Sequence, residues 1–179
     1  MQPAFPSPLT VPGPTTKPTT VLVVDDDARA RRLFERLLVG QGYVVETASD
    51  GPSALAAVQS TPPDVVVLDV MLPGVSGFEI CRHLKRESTT RLTPVILVTG
   101  MNDRARRAEG LEAGADDFLG KPVDPSELFA RVGAVARLKR CTDDLDSAAA
   151  IITTLAVMIE ARNGSTAGRC HRIHSKDVA

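Results

Sequence analysis

The sequence has few cysteines and no long hydrophobic run. Its three cysteines, Cys81, Cys141 and Cys170, are far apart and form no CxxC pair. Neither a disulfide framework nor a structural zinc site is indicated, and a reducing, cytoplasmic setting is the simplest interpretation. The longest uncharged apolar run after the N-terminal region extends from Ser147 to Ile159. It is shorter than the roughly 20 residues of a membrane span, so we expect no membrane segment.

The sequence also lacks an excess of charge of either sign. The 21 Lys and Arg residues nearly balance the 22 Asp and Glu residues, for a net charge of −1. This balance excludes the overall positive charge of a protein that holds nucleic acid mainly through phosphates. Nothing after Lys139 resembles a helix-turn-helix, so no DNA partner is expected. The length of 179 residues fits one ordinary domain with additional chain.

Proline is concentrated at the N-terminus, where six of the 13 prolines lie in the first 18 residues. This density prevents helix or ladder pairing and predicts a disordered leader over residues 1–18. The leader has neither the basic start nor the unbroken apolar region of a secretory signal.

From Thr19 onward, short valine-rich runs alternate with segments of helical periodicity. This alternation predicts an α/β fold with a five-stranded parallel sheet in doubly wound (βα)5 order. The predicted strands are Thr20 to Val24, Tyr43 to Ala48, Val65 to Leu68, Pro94 to Val98 and Asp117 to Leu119. The predicted helices are Ala28 to Val39, Gly51 to Gln59, Ser76 to Arg86, Asp103 to Ala113 and a last one from Pro125 onward.

The last helix is predicted to project beyond the sheet, because no proline or glycine lies between Ala134 and Arg162. Apolar residues recur along it at heptad spacing with charged flanks, which favours a parallel dimer seam or a linker helix. A helix that packs back on its own domain is the alternative. The heptad positions are Leu138, Cys141, Leu145, Ala148, Ile152, Leu155 and Ile159.

Carboxylates gather where two predicted strands end. Asp25, Asp26 and Asp27 follow the first strand and Asp69 follows the third. The carboxyl ends of parallel strands form the ligand-binding edge of such a sheet, and these two strands should be neighbours. Several carboxylates in one crevice repel one another unless a cation joins them, and this oxygen set suits Mg²⁺. The alternative for the first cluster is that it caps the following helix.

A hydroxyl and an ammonium group follow two further strands, as Thr99 and Lys121. With Asp69 as nucleophile, these groups and Mg²⁺ fit the formation of an acyl phosphate, because the cations neutralise charge on the transferring phosphoryl group. Taken singly, Thr99 would be a satisfied hydroxyl and Lys121 a solvated surface lysine. Their joint placement at four strand ends favours the functional interpretation.

The motifs VLVVDDD, VVVLDVMLPGVSGFEI, PVILVTG and EAGADDFLGKPVD give residues 19–139 a specific resemblance to the receiver domain of two-component response regulators. The resemblance implies a flavodoxin-like fold, Mg²⁺ as cofactor and a histidine kinase or phosphotransfer protein as partner. It implies that the chain is not an enzyme beyond its own phosphorylation and dephosphorylation. The implied roles are phosphoacceptor for Asp69, direct metal ligand for Asp26, ligand through water for Asp25, metal-binding backbone carbonyl for Met71, phosphate pairing for Lys121 beside a cis Pro122, and switch residues for Thr99 and Phe118.

Signalling in this family uses the face formed by the fourth helix, fifth strand and fifth helix. Its opposite charges suggest a homodimer that pairs across a two-fold axis and continues into the C-terminal helix. Solvated helix faces are the alternative interpretation. The charged residues are Arg104, Arg106, Arg107, Glu109, Asp116, Asp117, Arg131 and Arg137.

Residues 140–179 are predicted to be a helical linker followed by the truncated start of a second domain. Ile159 to Arg169 is similar to the opening of HD-GYP cyclic-dinucleotide phosphodiesterases, although Asn163 and Arg169 replace that family's usual Asp and metal-binding His. His171 and His174 are expected to be solvated rather than metal-bound. We therefore expect no phosphodiesterase activity.

Two alternatives to the receiver function follow from these residues. One is a remnant of a receiver-regulated cyclic-di-GMP phosphodiesterase without its catalytic residues. The other is a Mg²⁺ phosphatase of the haloacid-dehalogenase type, since Asp25 to Asp27 satisfies its Asp-x-Asp motif; its usual threonine is replaced by Arg29, and no cap domain is present. The two phosphate chemistries differ in whether Asp69 is the phosphorylated residue.

Overall fold

The computed structural model describes residues 17–100 and 104–170, with side chains for residues 17–100 and 106–159. Most of the predicted leader, together with Met101, Asp103, His171 and His174, lies outside the described residues. The strands are β1 (Thr20–Val24), β2 (Val44–Ala48), β3 (Val65–Asp69), β4 (Val95–Thr99) and β5 (Asp117–Gly120). The helices are α1 (Ala28–Val39), α2 (Gly51–Ser60), α3 (Gly77–Arg86), α4 (Arg104–Glu112) and α5 (Pro125–Cys170).

The strands form one five-stranded parallel sheet in the order β2-β1-β3-β4-β5. The predicted doubly wound α/β fold is confirmed, and β1 and β3 are central neighbours. The order reverses at β1, so the crevice beyond the carboxyl ends of β1 and β3 is a topological switch point, where ligands bind in such sheets.

Three predicted strands end one residue too early. The sequence places Asp69, Thr99 and Gly120 just after their strands, whereas in the structure each is the last residue of its strand. The reason is pairing: Asp69 lies opposite Val98 and Thr99 lies opposite Gly120 in the parallel register. Because strand pairing fixes their backbones, these two site residues are held more rigidly than loop residues would be.

The predicted helix starts are correct to within a residue, and N-caps explain one difference. Ser76, predicted as the first residue of α3, is its N-cap. Ser76 Oγ accepts from the Glu79 N–H, and the Glu79 carboxylate accepts from the Ser76 N–H. Asp27 caps α1 and Asp50 caps α2 in a similar way: their carboxylates accept from backbone N–H groups of the first helical turn.

The core lies on both faces of the sheet, because alternate strand residues point to opposite sides. Leu22 and Val24 pack with α2, α3 and Phe118 on one face. Val21 and Val23 pack on the other face with α1 and the first turns of α5. This double cover explains the continuous apolar strands of the sequence.

Helix α5 continues far beyond its packed part, as the unbroken helical pattern predicted. Its first turns contribute buried Leu128, Val132 and Ala136 to the core. Residues 147–159 are all exposed, including Ile152 at 67% and Leu155 at 54%. Residues 147–159 of this helix therefore do not pack back on their own domain. Among the described residues, no helix is long and apolar enough to span a bilayer.

Candidate functional site

An acidic cluster lies at the carboxyl ends of β1 and β3. Asp25, Asp26 and Asp69 each place a carboxylate oxygen within 4.8 Å of the others. Asp25 and Asp69 are buried, whereas Asp26 is exposed. Three convergent oxygen donors with one open side suit a hard divalent cation that keeps several waters.

Lys121 joins the two buried carboxylates from the end of β5. Its Nζ lies 2.7 Å from Asp69 Oδ2 and 3.0 Å from Asp25 Oδ2. Asp25 follows β1, Asp69 ends β3 and Lys121 follows β5, so only the folded sheet brings these residues together. The Lys121 N–H donates to the Thr99 carbonyl oxygen at 2.7 Å, and the peptide bond from Lys121 to Pro122 is cis.

Burial and hydrogen bonding together set the pKa shifts of Asp69 and Lys121. Burial raises the pKa of the Asp69 carboxyl, although hydrogen bonds from Lys121 and from the Met71 N–H oppose the shift. Burial alone would lower the pKa of Lys121, but the carboxylates of Asp69 and Asp25 outweigh it and raise that pKa. Lys121 is therefore a firmly protonated cation beside the Asp69 carboxylate.

The three aspartates of the turn after β1 have different roles in the structure. Asp27 Oδ1 accepts from Arg29 N at 2.8 Å and caps α1. Asp25 Oδ1 accepts from the Asp27 N–H at 2.8 Å, which leaves Asp25 Oδ2 for Lys121. The capping interpretation of the cluster therefore holds for Asp27, whereas Asp25 and Asp26 belong to the acidic site.

Two further predicted site residues border Asp69. The Met71 N–H donates to Asp69 Oδ1 at 3.2 Å, which places Met71 beside the carboxylate. Thr99 ends β4, the strand between β3 and β5, and is partly buried. Both lie where the sequence predicted; the metal-binding carbonyl of Met71 and the switching of Thr99 stay predictions.

The backbone of Asp69 packs directly against Gly77 at the start of α3. A Cβ on Gly77 would lie 2.8 Å from Val70 Cα and would contact the Asp69 carbonyl oxygen even more closely. The Gly77 N–H also donates to Val70 O at 3.0 Å. The local sequence does not distinguish Gly77 from other glycines; its place beside the capping Ser76 is the available signal.

Phe118, the predicted switch aromatic, is buried on the inner side of β5. A Cβ on Gly110 of α4 would lie 2.7 Å from Phe118 Cζ and 3.0 Å from Leu97 Cδ1, so the glycine makes room for the ring. The Arg107 guanidinium lies 5.8 Å from the ring centroid, within cation–π range. Sequence reasoning missed Gly110, because a glycine inside a helix has no explanation without its neighbour.

The charges predicted for a dimer face are partly paired within the chain. Arg131 lies 2.5 Å from Asp117 and 2.6 Å from Glu127, and Asp116 lies 2.7 Å from Lys85. Glu109 lies 3.5 Å from Arg82. A pairing across a two-fold axis would therefore have to compete with these bonds. The Arg104 side chain lies outside the described side chains.

This sheet order, with an acidic crevice at the switch point and a lysine across it, is that of a doubly wound α/β protein with a charged site at its ligand-binding edge. The family model for the response regulator receiver domain matches residues 21–133, and the chain belongs to this family. It is the receiver of a two-component response regulator. Receivers of this kind are generally not enzymes in their own right.

Two curated response regulators illustrate the similarity. The chain is 50% identical over 125 residues to response regulator PleD of Caulobacter vibrioides, an alignment that covers 70% of this chain and 28% of PleD. It is 42% identical over 137 residues to response regulator MprA of Mycobacterium avium, which covers 76% of this chain and 59% of MprA. The matched region is thus only part of each relative.

A solved structure gives the same result for the fold. Chemotaxis response regulator CheY4 of Vibrio cholerae superposes with a TM-score of 0.64 at 34% identity, covering 66% of this chain and 99% of CheY4. These comparisons do not favour the phosphatase alternative. The predicted likeness of the C-terminal residues to HD-GYP domains stays a prediction.

Proposed function

We propose that Asp69 accepts a phosphoryl group from a phosphohistidine of a histidine kinase or phosphotransfer protein. The observation that supports this most strongly is the 2.7 Å contact between Lys121 Nζ and Asp69 Oδ2 inside the three-carboxylate cluster. The contact provides a cation beside the nucleophilic oxygen, on the open edge of the sheet.

In this proposal an Asp69 carboxylate oxygen attacks phosphorus, a new O–P bond forms and the N–P bond to histidine breaks. The leaving imidazole takes up a proton. Lys121 is already charged and hydrogen-bonded to Asp69, so it can neutralise part of the phosphoryl charge without a large rearrangement. Hydrolysis of the resulting acyl phosphate would return Asp69 to its carboxylate form. We propose no further catalytic activity, including phosphodiesterase activity.

Asp25, Asp26 and Asp69 fit a Mg²⁺ ion, because their carboxylate oxygens converge and two of the three residues are buried. The Met71 carbonyl is proposed as a further ligand. When bound, Mg²⁺ would supply Lewis-acid neutralisation of phosphoryl oxygens. The exposed Asp26 side chain leaves a route for the cation and for the phosphoryl donor.

We propose that the phosphoryl group is read by Thr99 and Phe118. Thr99 ends β4, the strand between β3 and β5, and Phe118 lies on β5 two register positions before Gly120, the partner of Thr99. Movement of the Thr99 hydroxyl toward a phosphoryl oxygen would change the space available to the ring. A small change in charge at Asp69 would thus reach the surface formed by α4, β5 and α5.

The output in this proposal is a homodimer formed through that surface and through the projecting part of α5. Leu138, Leu145 and Ile152 recur at heptad spacing and are exposed by 66%, 71% and 67%. A second copy in parallel would cover this stripe on both chains at once. The domain organisation proposed is a leader over 1–18, a receiver over 19–139 and a linker with an HD-GYP-like start over 140–179.

The test is phosphorylation by acetyl phosphate, followed by intact mass with and without Mg²⁺. Wild-type protein should gain one phosphoryl group in a Mg²⁺-dependent way, and Asp69→Asn should gain none. Asp27→Asn is the matched control, because asparagine keeps the N-cap and should leave labelling intact. Labelling that survives Asp69→Asn but is lost in Asp25→Asn would instead support the phosphatase chemistry.

A further inference from the structure

The Arg31 side chain binds the backbone carbonyls of the acidic turn after β1 and not the carboxylates of that turn. Its Nη1 donates to the carbonyl oxygen of Asp25 at 2.6 Å and to that of Asp26 at 3.0 Å. Side chains of a helix lean toward its N-terminus, so Arg31 in the first turns of α1 reaches back to the residues that precede the helix. A single guanidinium nitrogen thus links two successive peptide groups.

This placement is unfavourable for the helix alone. The first turn of a helix favours acidic residues because of the helix dipole, yet α1 has none there and carries Arg29 and Arg31 instead. The two carbonyl bonds and the neighbouring carboxylates offset that cost. They also satisfy two acceptors at the point where the chain leaves β1.

We propose that Arg31 is a positioning residue for the cation site, which fixes the turn so that the Asp25 and Asp26 carboxylates converge with Asp69. This inference rests on the cation site of the proposed function. It assigns no ligand role to Arg31, whose contact is with the backbone behind the carboxylates. Partners that orient ligands in this way commonly change metal affinity by ten- to a hundredfold.

The direction in which Mg²⁺ affinity changes distinguishes a positioning role of Arg31 from an effect of its charge. A positive charge near the site repels Mg²⁺, so loss of charge alone would strengthen binding. Loss of the two carbonyl bonds would let the turn move and would weaken binding. A variant that removes the guanidinium therefore weakens binding only where positioning dominates.

The experiment measures Mg²⁺ binding by calorimetry in wild-type protein, Arg31→Met, Arg31→Lys and the matched control Arg32→Met. Arg32 is the exposed neighbour on α1, and methionine keeps the aliphatic part of either side chain. We expect Arg31→Met to weaken binding about tenfold or more, with Arg32→Met within about twofold of wild type. Arg31→Lys should restore part of the loss, because an ammonium can donate to both carbonyls.

Binding by Arg31→Met that equals or exceeds that of Arg32→Met would overturn the inference. A second readout is independent of the cation. Without Mg²⁺, the amides of Asp25 and Asp27, which donate to Ala48 O and to Asp25 Oδ1, should lose protection from hydrogen exchange in Arg31→Met but not in Arg32→Met. Wild-type protein that binds no Mg²⁺ would overturn the cation site itself. Unchanged exchange in Arg31→Met would overturn the positioning role alone.

Discussion

Gly77 and Asp69 are packed backbone to backbone: a side chain at Gly77 would occupy the space of the Asp69 carbonyl oxygen. The start of α3 therefore supports the strand end that carries the proposed phosphoacceptor. The obstacle is main chain, which cannot rotate away as the tip of a side chain can. This contact links the helix start to the geometry of the site.

Gly77→Ala should destabilise the protein by about 3 kcal/mol or more, at the upper end of the cost of overpacking. It should also slow acetyl phosphate labelling of the fraction that remains folded. Urea denaturation and labelling below the transition check the two effects. Gly120→Ala, where no atom lies within 4 Å of the added Cβ, is the matched control and should change stability by less than about 0.5 kcal/mol. Equal costs for both variants would contradict the packing argument.

The close approach of Gly110 and Phe118 predicts that the effect of Gly110→Ala on stability changes sign when Phe118 is replaced by alanine. Gly110→Ala should cost about 1 to 3 kcal/mol in the wild type, because the Cβ meets the ring. In a Phe118→Ala background the same change should stabilise by up to about 1 kcal/mol, because alanine is the better helix former. Urea denaturation gives all four free energies of unfolding, and Phe118→Leu provides a milder background. Equal costs in both backgrounds would show that ring and glycine do not interact.

Cys81 should resist thiol reagents and should make stability depend on alkaline pH. Burial raises its pKa to about 11, against the 9.0 of an ordinary thiol. Between these values the native state keeps the proton that the unfolded state loses. The free energy of unfolding should therefore fall as pH rises from about 9 toward 11, and less so in Cys81→Ala.

Reagent kinetics check the same burial directly. With Cys170 replaced by serine, exposed Cys141 should react rapidly and Cys81 only after unfolding. Single-cysteine variants at 81 and 141 separate the two rates. Fast reaction of Cys81 in folded protein would contradict its place in the core.

The projecting part of α5 predicts a dimer that depends on its apolar stripe. Ile152→Asp should shift wild-type dimer to monomer in sedimentation, because a parallel seam would bury both carboxylates. Thr154→Asp lies outside the stripe and is the matched control, expected to remain dimeric. A monomeric wild type, phosphorylated or not, would contradict the proposal. Loss of the dimer in both variants would show that the seam is not specific to the stripe.

The sheet and its helices could be predicted from the sequence because valine runs and helical periodicity agree along the whole receiver. Once strands are parallel, topology places residues such as Asp25 and Lys121 at one edge, although 96 positions separate them. The appearance of carboxylates and an ammonium group at strand ends therefore sufficed to predict that these side chains lie together.

Some details required tertiary contacts that no local pattern contains. The last strand residue depends on its partner, as Asp69 opposite Val98 illustrates. Contacts with other elements or with the preceding turn explain why the structure needs Gly77, Gly110 and Arg31. A glycine or an arginine in a helix has the same local sequence signal whether or not it supports a site.

The Asp69 carboxylate is the proposed phosphoacceptor, and the most direct measurement locates the phosphoryl group. Wild-type protein is phosphorylated with acetyl phosphate and Mg²⁺, and the acyl phosphate is then reduced with borohydride, which converts the modified aspartate to homoserine. Peptide mass spectrometry should find homoserine at position 69 and nowhere else, and only when Mg²⁺ was present. Homoserine at position 25 or 26, or none in folded protein, would contradict this account.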